Sequence, residues 1–215
     1  MRVMCTGRVD LGFVLKAFAK GADGVFIVGC RLNECNYTTH GNFHALRLTH
    51  FVKRLLARMG LDPRRMAVEF LSSGEGMRFA ESTDRFAEEV RRLGPLGQGE
   101  GVPPERVAEG LAALLDILPY LRMVLAERLN PGLRSREAYD AFFQSPEVDR
   151  IFEEAVVEKW RMAQVARLLR QAPLGTAEIA ERLGLDAAEA GRYLAASVTR
   201  GLIRFDLSEK RYALA

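Results

Sequence analysis

Residues 24–30 read GVFIVGC, a continuous apolar run with β-branched residues that ends in a cysteine. A run of this kind is typical of a β-strand covered on both faces. Two other short runs, RVMC (2–5) and MAVEFLSS (66–73), also predict strands. Helical patterns follow the three strands at about 10–21, 43–59 and 75–93. Alternating strands and helices predict an α/β domain in which crossover helices connect the strands of a small parallel sheet.

The middle of the chain is predicted to be helical. A Gly/Pro-rich stretch, GPLGQGEGVPP (94–104), interrupts regular structure. Beyond it, residues 104–129 form a long amphipathic pattern that Pro119 is expected to kink, and residues 135–155 form one or two more helices. Residues 95–155 carry six basic and eleven acidic side chains. We interpret them as a solvated helical connector; the alternative is that they contact one of the two basic parts of the chain or a partner subunit.

The C-terminal part follows the plan of a winged helix–turn–helix. Helical segments at about 157–171, 176–185 and 186–203 precede two short runs that pair as a hairpin, RFDL (204–207) and RYALA (211–215). The sequence therefore divides into an α/β domain (1–94), a helical connector (95–155) and a winged helix-like domain (156–215).

The overall composition is that of a globular protein. The 215 residues are 48% hydrophobic and 27% charged, with a formal net charge of only +3. These values exclude a disordered chain and a generally polybasic nucleic-acid binder. No apolar run approaches the roughly 20 residues of a membrane helix, and residues 1–13 lack the layout of a secretory signal. We therefore expect a cytoplasmic protein without membrane contact.

All three cysteines, Cys5, Cys30 and Cys35, lie in the first 35 residues. Their number is odd and small, so disulfide scaffolding is not expected. Cys5 ends the first predicted strand, Cys30 ends the second, and Cys35 lies in the loop just beyond it. Parallel sheets bind ligands at the carboxyl ends of their strands. The three thiols therefore converge at one edge of the sheet if these two strands are neighbours.

Cysteines at this edge have two interpretations. Thiolates hold iron, and four ligands complete a 2Fe–2S or 4Fe–4S cluster; the Cys30–Cys35 spacing suits one iron, and Cys5 could reach another. His40 or His44 could supply a fourth ligand, although we favour a solvated loop position for His40 and a first-turn helix position for His44. Alternatively, the three cysteines are small buried hydrophobic residues near strand ends.

Three motifs in order carry a family resemblance: RVMCTGRVD (2–10), GADGVFIVGC (21–30) and ECNYTTHGN (34–42) with a following helix. Over about residues 1–94 the chain closely resembles the delta (iron–sulfur) subunit family of methyl-viologen-reducing hydrogenase. The resemblance implies a 2Fe–2S cluster bound by Cys5, Cys30 and Cys35, which match family cysteines. In that family the delta chain passes electrons between a hydrogenase, or another dehydrogenase module, and the flavin-containing A-type component of heterodisulfide reductase.

Two departures from the family pattern matter. Family members usually carry a further strand, a cysteine-rich turn and a helix before the RVMC motif. Either that unit lies upstream, or a partner chain supplies a strand and the remaining thiolates, or the cluster is lost. An uncovered sheet edge is an aggregation hazard, so we expect a hetero-oligomer. The second departure is Arg31-Leu32-Asn33-Glu34 in place of a His-Pro-Gly-Asp type turn, which suggests a different contact surface.

The resemblance implies an electron-transfer subunit. Catalysis on a substrate by this chain alone is not expected, because the sequence carries no acid/base pair, nucleophile triad, P-loop or GxGxxG motif. The expected partners are a heterodisulfide reductase A-type flavoprotein and hydrogenase or dehydrogenase subunits. Two alternatives stay open: a redox- or metal-responsive regulator whose winged helix binds DNA, and an assembly subunit without a cluster. Nucleic-acid binding is less favoured, because Asp186 and Glu189 repel phosphates, and because Arg204, Lys210 and Arg211 are the better of few phosphate candidates.

Overall fold

The computed structural model describes residues 1–37, 41–132 and 134–215. The helices of the described residues are α1 (Leu11–Ala19), α2 (Asn42–Arg58), α3 (Gly76–Leu93), α4 (Pro104–Asp116), α5 (Leu118–Glu127), α6 (Arg136–Phe143), α7 (Pro146–Phe152), α8 (Glu158–Gln171), α9 (Thr176–Leu183) and α10 (Ala187–Thr199). The strands are β1 (Val25–Gly29), β2 (Met66–Phe70), β3 (Ile203–Asp206) and β4 (Arg211–Leu214). Short helical turns occupy Thr6–Arg8 and Pro63–Arg65, and a π-helical turn, Glu153–Val157, joins α7 to α8.

β1 and β2 form a two-stranded parallel sheet, and α2 lies between them in the chain as the crossover helix. Their register pairs Val25 with Met66 at one end and Gly29 with Phe70 at the other. On the face toward α3, Phe26 stacks on Phe86, with ring centroids 5.0 Å apart. The predicted α/β arrangement is therefore confirmed for these two strands.

The third predicted strand, at residues 2–5, does not form. Met4 is fully exposed, and the chain enters the Thr6–Arg8 turn, where Cys5 Sγ accepts a hydrogen bond from the Gly7 N–H at 3.4 Å. A strand needs a paired neighbour and a side to bury, and this segment has neither among the described residues. It still reaches the sheet edge, because Thr6 packs so closely on Gly29 that a Cβ there would lie 2.7 Å from Thr6 Oγ1.

The middle helices share one apolar core with the α/β part. Phe51 of α2 lies in the same buried cluster as Leu111 of α4 and Leu121 of α5. These contacts contradict the preferred interpretation of a solvated connector and agree with the alternative, contact with the N-terminal part. Its acidic side chains include exposed ones on the outer faces of amphipathic helices, such as Asp149, which pairs with Arg54 at 2.5 Å.

The predicted helix over 104–129 is divided at Ile117 into α4 and α5. Pro119 causes this break, because its ring clashes with the carbonyl four residues earlier and its nitrogen carries no hydrogen to donate.

The C-terminal helices α8, α9 and α10 and the β3–β4 hairpin surround a second, smaller apolar cluster. The hairpin pairs Ile203 with Leu214 in antiparallel register, and Leu174 extends it by exchanging two backbone hydrogen bonds with Tyr212 at 2.8 and 3.1 Å. The three helices and the hairpin predicted for this part are confirmed. None of the described helices is long and apolar enough to cross a membrane.

Candidate functional site

The three cysteines line a single open cavity of about 1050 Å³ at the carboxyl edge of the parallel sheet. Its walls are the N-terminal segment, the end of β1, the loop that follows β1, and the beginning of α3. Cys30 is exposed, Cys5 is half-buried and Cys35 is buried. The structure thus brings together the residues that the sequence singled out, and their role as metal ligands stays a prediction.

Cys35 is the hydrogen-bond acceptor around which the other two thiols lie. Burial alone raises the pKa of the Cys35 thiol, but donation from the N–H groups of Tyr37 and Asn42 and from the thiols of Cys30 and Cys5 brings its pKa below the ordinary value. Burial and the thiol hydrogen bond to Cys35 raise the pKa of Cys30 to about 11. The site therefore favours one thiolate over its neighbour, since like charges in contact disfavour each other.

The beginning of α2 supports the thiols from inside the protein. Asn42 is 1% exposed, and its side-chain amide donates to the carbonyl oxygens of Cys30 at 3.0 Å and Arg31 at 2.6 Å. The same nitrogen lies 3.8 Å from Cys30 Sγ. Gly41 precedes the helix, and a Cβ at this position would lie 2.2 Å from Cys35 Sγ. Only glycine fits between the backbone and this sulfur.

An ion pair holds the outer wall of the cavity. Arg31 donates to both carboxylate oxygens of Glu75, at 2.6 and 3.1 Å, and thereby joins the loop after β1 to the loop after β2. Glu75 also accepts a hydrogen bond from the Ser72 N–H at 2.6 Å. The Arg31 side chain, together with the Ser72 N–H, lowers the pKa of Glu75 to about 2.

The rim of the cavity is unusually apolar. Met1, Met4, Tyr37 and Phe79 line it and are 50–100% exposed. Clustered apolar side chains on a surface mark an interaction site. At the base, the buried Thr6 Oγ1 has no hydrogen-bond partner among the described residues.

The donor atoms suit iron–sulfur chemistry in kind, because cysteine thiolates are the usual ligands of these clusters. Their number is three, and within the described ranges no His, Cys, Asp and Glu side chains form a ready-made metal-binding group. His44 lies on α2 outside the cavity lining, with its Nδ1 2.8 Å from Arg47 Nη2. His40 lies outside the described residues. The cysteines therefore fit as part of a ligand set.

Sequence reasoning missed Gly41, Asn42 and the Arg31–Glu75 pair. The Gly-Asn pair at the start of an apolar helix was an available signal, since glycine allows close backbone approach and asparagine favours helix starts. Nothing in the sequence signalled the ion pair, whose partners lie 44 positions apart.

Comparison with known proteins concerns the N-terminal part of the chain. Residues 1–94 match the family model for the delta subunit of methyl-viologen-reducing hydrogenase. The iron-sulfur D component of the F420-non-reducing hydrogenase of Archaeoglobus profundus is 42% identical over 95 residues, which are 44% of this chain and 69% of that protein. The corresponding vhu iron-sulfur protein of Methanococcus maripaludis is 39% identical over 95 residues, or 44% of this chain and 70% of the relative.

A larger protein contains a similar segment. The A component of the ferredoxin/F420H2-dependent CoB-CoM heterodisulfide reductase of Methanosarcina acetivorans is 42% identical over 97 residues, which are 45% of this chain. The chain spans only 12% of that relative's length. The matched segment therefore occurs both in a small hydrogenase protein and within a long heterodisulfide reductase protein. This chain belongs to the family of methyl-viologen-reducing hydrogenase delta subunits.

Proposed function

We propose that this chain is an iron–sulfur electron-transfer subunit in which Cys5, Cys30 and Cys35 supply thiolate ligands to a 2Fe–2S cluster. It relays electrons between a hydrogenase, or another dehydrogenase module, and a heterodisulfide reductase A-type flavoprotein, in keeping with the names of its relatives. The single observation that carries the proposal is that three thiols from separate segments line one cavity.

The site's own residues favour this role. Iron binds the thiolate rather than the thiol, and hydrogen bonds from two backbone N–H groups already stabilise the Cys35 thiolate. When bound, a 2Fe–2S cluster accepts and returns one electron at a time. The apolar rim excludes water and contacts the redox partner. The proposed location of the protein is the reducing cytoplasm.

Metal content tests the proposal directly. The full chain is purified anaerobically with its partner present, and iron, sulfide and visible absorption are measured. Cys30→Ser and Cys35→Ser should each abolish the visible absorption and leave the C-terminal helices folded. Ser73→Ala is the matched control, because Ser73 lines the same cavity on an exposed loop and should leave the absorption unchanged.

Two results would contradict the proposal. One is a wild-type preparation, with its partner, that holds neither iron nor sulfide. The other is a variant with all three cysteines replaced by serine that assembles with the partner and transfers electrons at the wild-type rate. The second outcome would favour an assembly protein without a cluster.

For the C-terminal unit we propose a winged helix that docks onto protein rather than DNA. Arg211, a candidate for phosphate contact, is occupied by Glu178 at 3.1 Å and by the Pro173 carbonyl at 2.8 Å. Apolar Phe205 and Leu207 of the hairpin are exposed instead. A gel shift with duplex DNA at low salt should show no complex. A salt-dependent shift that changes with the cysteines' oxidation state would favour the DNA-binding regulator.

A further inference from the structure

The turn that carries Cys30 is held from two sides. From the inside, the buried Asn42 amide donates to two successive carbonyl oxygens, those of Cys30 and Arg31. From the solvent side, the Arg31 guanidinium is anchored on Glu75. The first contact belongs to the helix that also presents a backbone N–H to Cys35, so one residue contacts both halves of the thiol pair.

Asparagine is well suited to this position. One side-chain nitrogen with two hydrogens satisfies two carbonyl acceptors at once, and Asn42 is 1% exposed, so the amide holds the turn from the protein side. An acceptor that loses its donor away from water is destabilised by its desolvation cost. The turn would then move until its carbonyl groups reach water.

Movement of this turn changes the exposure of Cys35. Cys35 is 9% exposed; its sulfur lies against Gly41 and accepts a hydrogen bond from the Cys30 thiol. Opening the turn withdraws the Cys30 side chain from this sulfur, whereas Cys30 itself is already exposed. The exposure of Cys35 therefore reports the position of the turn.

We propose that Asn42 is a positioning residue for the Cys30–Cys35 thiol pair, and that the Arg31–Glu75 ion pair holds the same turn from the solvent side. The inference rests on the proposed function only in assuming that the thiols bind a cluster. The arrangement itself is testable in the reduced, metal-free full-length chain.

The test measures the rate at which iodoacetamide alkylates each cysteine. The full-length chain is alkylated, then digested, and mass spectrometry of the peptides assigns the rate to each cysteine. Asn42→Ala should raise the Cys35 rate about tenfold or more, the factor expected for loss of two ordinary hydrogen bonds that resist local opening. Thr49→Val is the matched control. Thr49 is buried on the same helix and donates to the Ala45 carbonyl at 2.8 Å, away from the thiols. It should lower the melting temperature and leave the Cys35 rate within about twofold.

Glu75→Gln tests the Arg31–Glu75 ion pair, and it replaces the first test if Asn42→Ala does not fold. It should raise the Cys35 rate about threefold, as expected for weakening one solvent-exposed charged contact. Glu34→Gln is its control, because Glu34 lies 3.9 Å from Arg31 on the same cavity wall and removes the same charge without breaking the anchor.

Two results would overturn the inference: Asn42→Ala folds with a Cys35 rate equal to that of Thr49→Val, or Asn42→Ala fails to fold and Glu75→Gln equals Glu34→Gln. If the wild-type chain holds no iron but Asn42→Ala raises the Cys35 alkylation rate, the cluster is refuted and this inference stands. If the wild-type chain holds iron but Asn42→Ala leaves the Cys35 rate unchanged, the cluster stands and this inference is refuted.

Discussion

The two ends of the parallel sheet are built in opposite ways. At the amino end, Arg65 is completely buried, and each guanidinium nitrogen has a partner. Glu100 accepts from it at 2.6 and 2.9 Å, and the carbonyls of Asp23 and Gly94 accept at 2.9 Å. At the carboxyl end, an open cavity holds three thiols, and the Thr6 hydroxyl is buried without a partner among the described residues.

The amino end of the sheet contributes stability, and the carboxyl end carries the candidate site. A buried charge is tolerated only when it is paired and fully hydrogen-bonded, and Arg65 meets that condition by joining β2 to the loop after α3. The carboxyl end leaves polar groups unpaired and apolar rim residues exposed, which costs stability unless a ligand or partner uses them. We therefore expect larger losses of stability from substitutions at the amino end of the sheet than from substitutions at its carboxyl end.

The largest expected effect is at the amino end. Arg65→Met should lower the free energy of unfolding by about 3–5 kcal/mol, because it leaves the Glu100 carboxylate, which is only 12% exposed, without its cation. Urea denaturation followed by circular dichroism measures the change. Arg64→Met, one residue earlier on an exposed side chain paired with Asp62 and Glu89, should change the value by less than about 1 kcal/mol. Equal losses would remove the distinction between a buried and an exposed arginine.

Gly41→Ala should have an intermediate effect at the carboxyl end. Its Cβ would lie 2.2 Å from Cys35 Sγ and 2.5 Å from the Tyr37 carbonyl oxygen, so the backbone must shift at a cost of about 1–3 kcal/mol. We also expect it to lower the iron retained after reconstitution, measured per chain. Gly74→Ala, which meets nothing within 4 Å, should retain wild-type iron and stability. Full iron retention by Gly41→Ala would show that the thiols tolerate displacement.

The Glu75 anchor should give a smaller, pH-dependent effect. Hydrogen bonds from Arg31 and Ser72 lower the pKa of Glu75 from 4.5 to about 2 on folding. A carboxyl whose pKa falls on folding adds stability above its unfolded pKa and loses it as the pH drops through the folded one. The urea midpoint of Glu75→Gln should therefore lie below that of wild type at neutral pH and converge with it near pH 2. A constant gap across this range would exclude the ionised carboxylate as the cause.

The smallest expected effect is at Thr6. Thr6→Val replaces an unpartnered buried hydroxyl by a methyl group of the same shape. The free energy of unfolding of the metal-free chain should stay constant or rise by up to about 1 kcal/mol. Thermal unfolding measures this. A clear loss of stability would show that the hydroxyl has a stabilising partner.

Sequence patterns predicted the part of this protein that depends on neighbouring residues. Apolar runs with β-branched residues predicted β1 and β2, and Pro119 predicted the break near Ile117. The position of Cys30 at the end of β1 predicted its place at the sheet edge. These features are local, because strand and helix patterns and proline geometry act over a few residues.

Local patterns were sufficient to predict β1, β2 and their helices, the place of Cys30 at the sheet edge, and the C-terminal hairpin. The packed fold is needed to explain why residues 2–5 form no strand while Cys5 still reaches the cavity, why the acidic middle helices complete the core, and why Asn42 reaches the Cys30 turn. Each of these depends on contacts between segments distant in the chain. Whether a strand has a neighbour, or a helix face has a cover, is settled by the packing of the whole molecule rather than by local pattern.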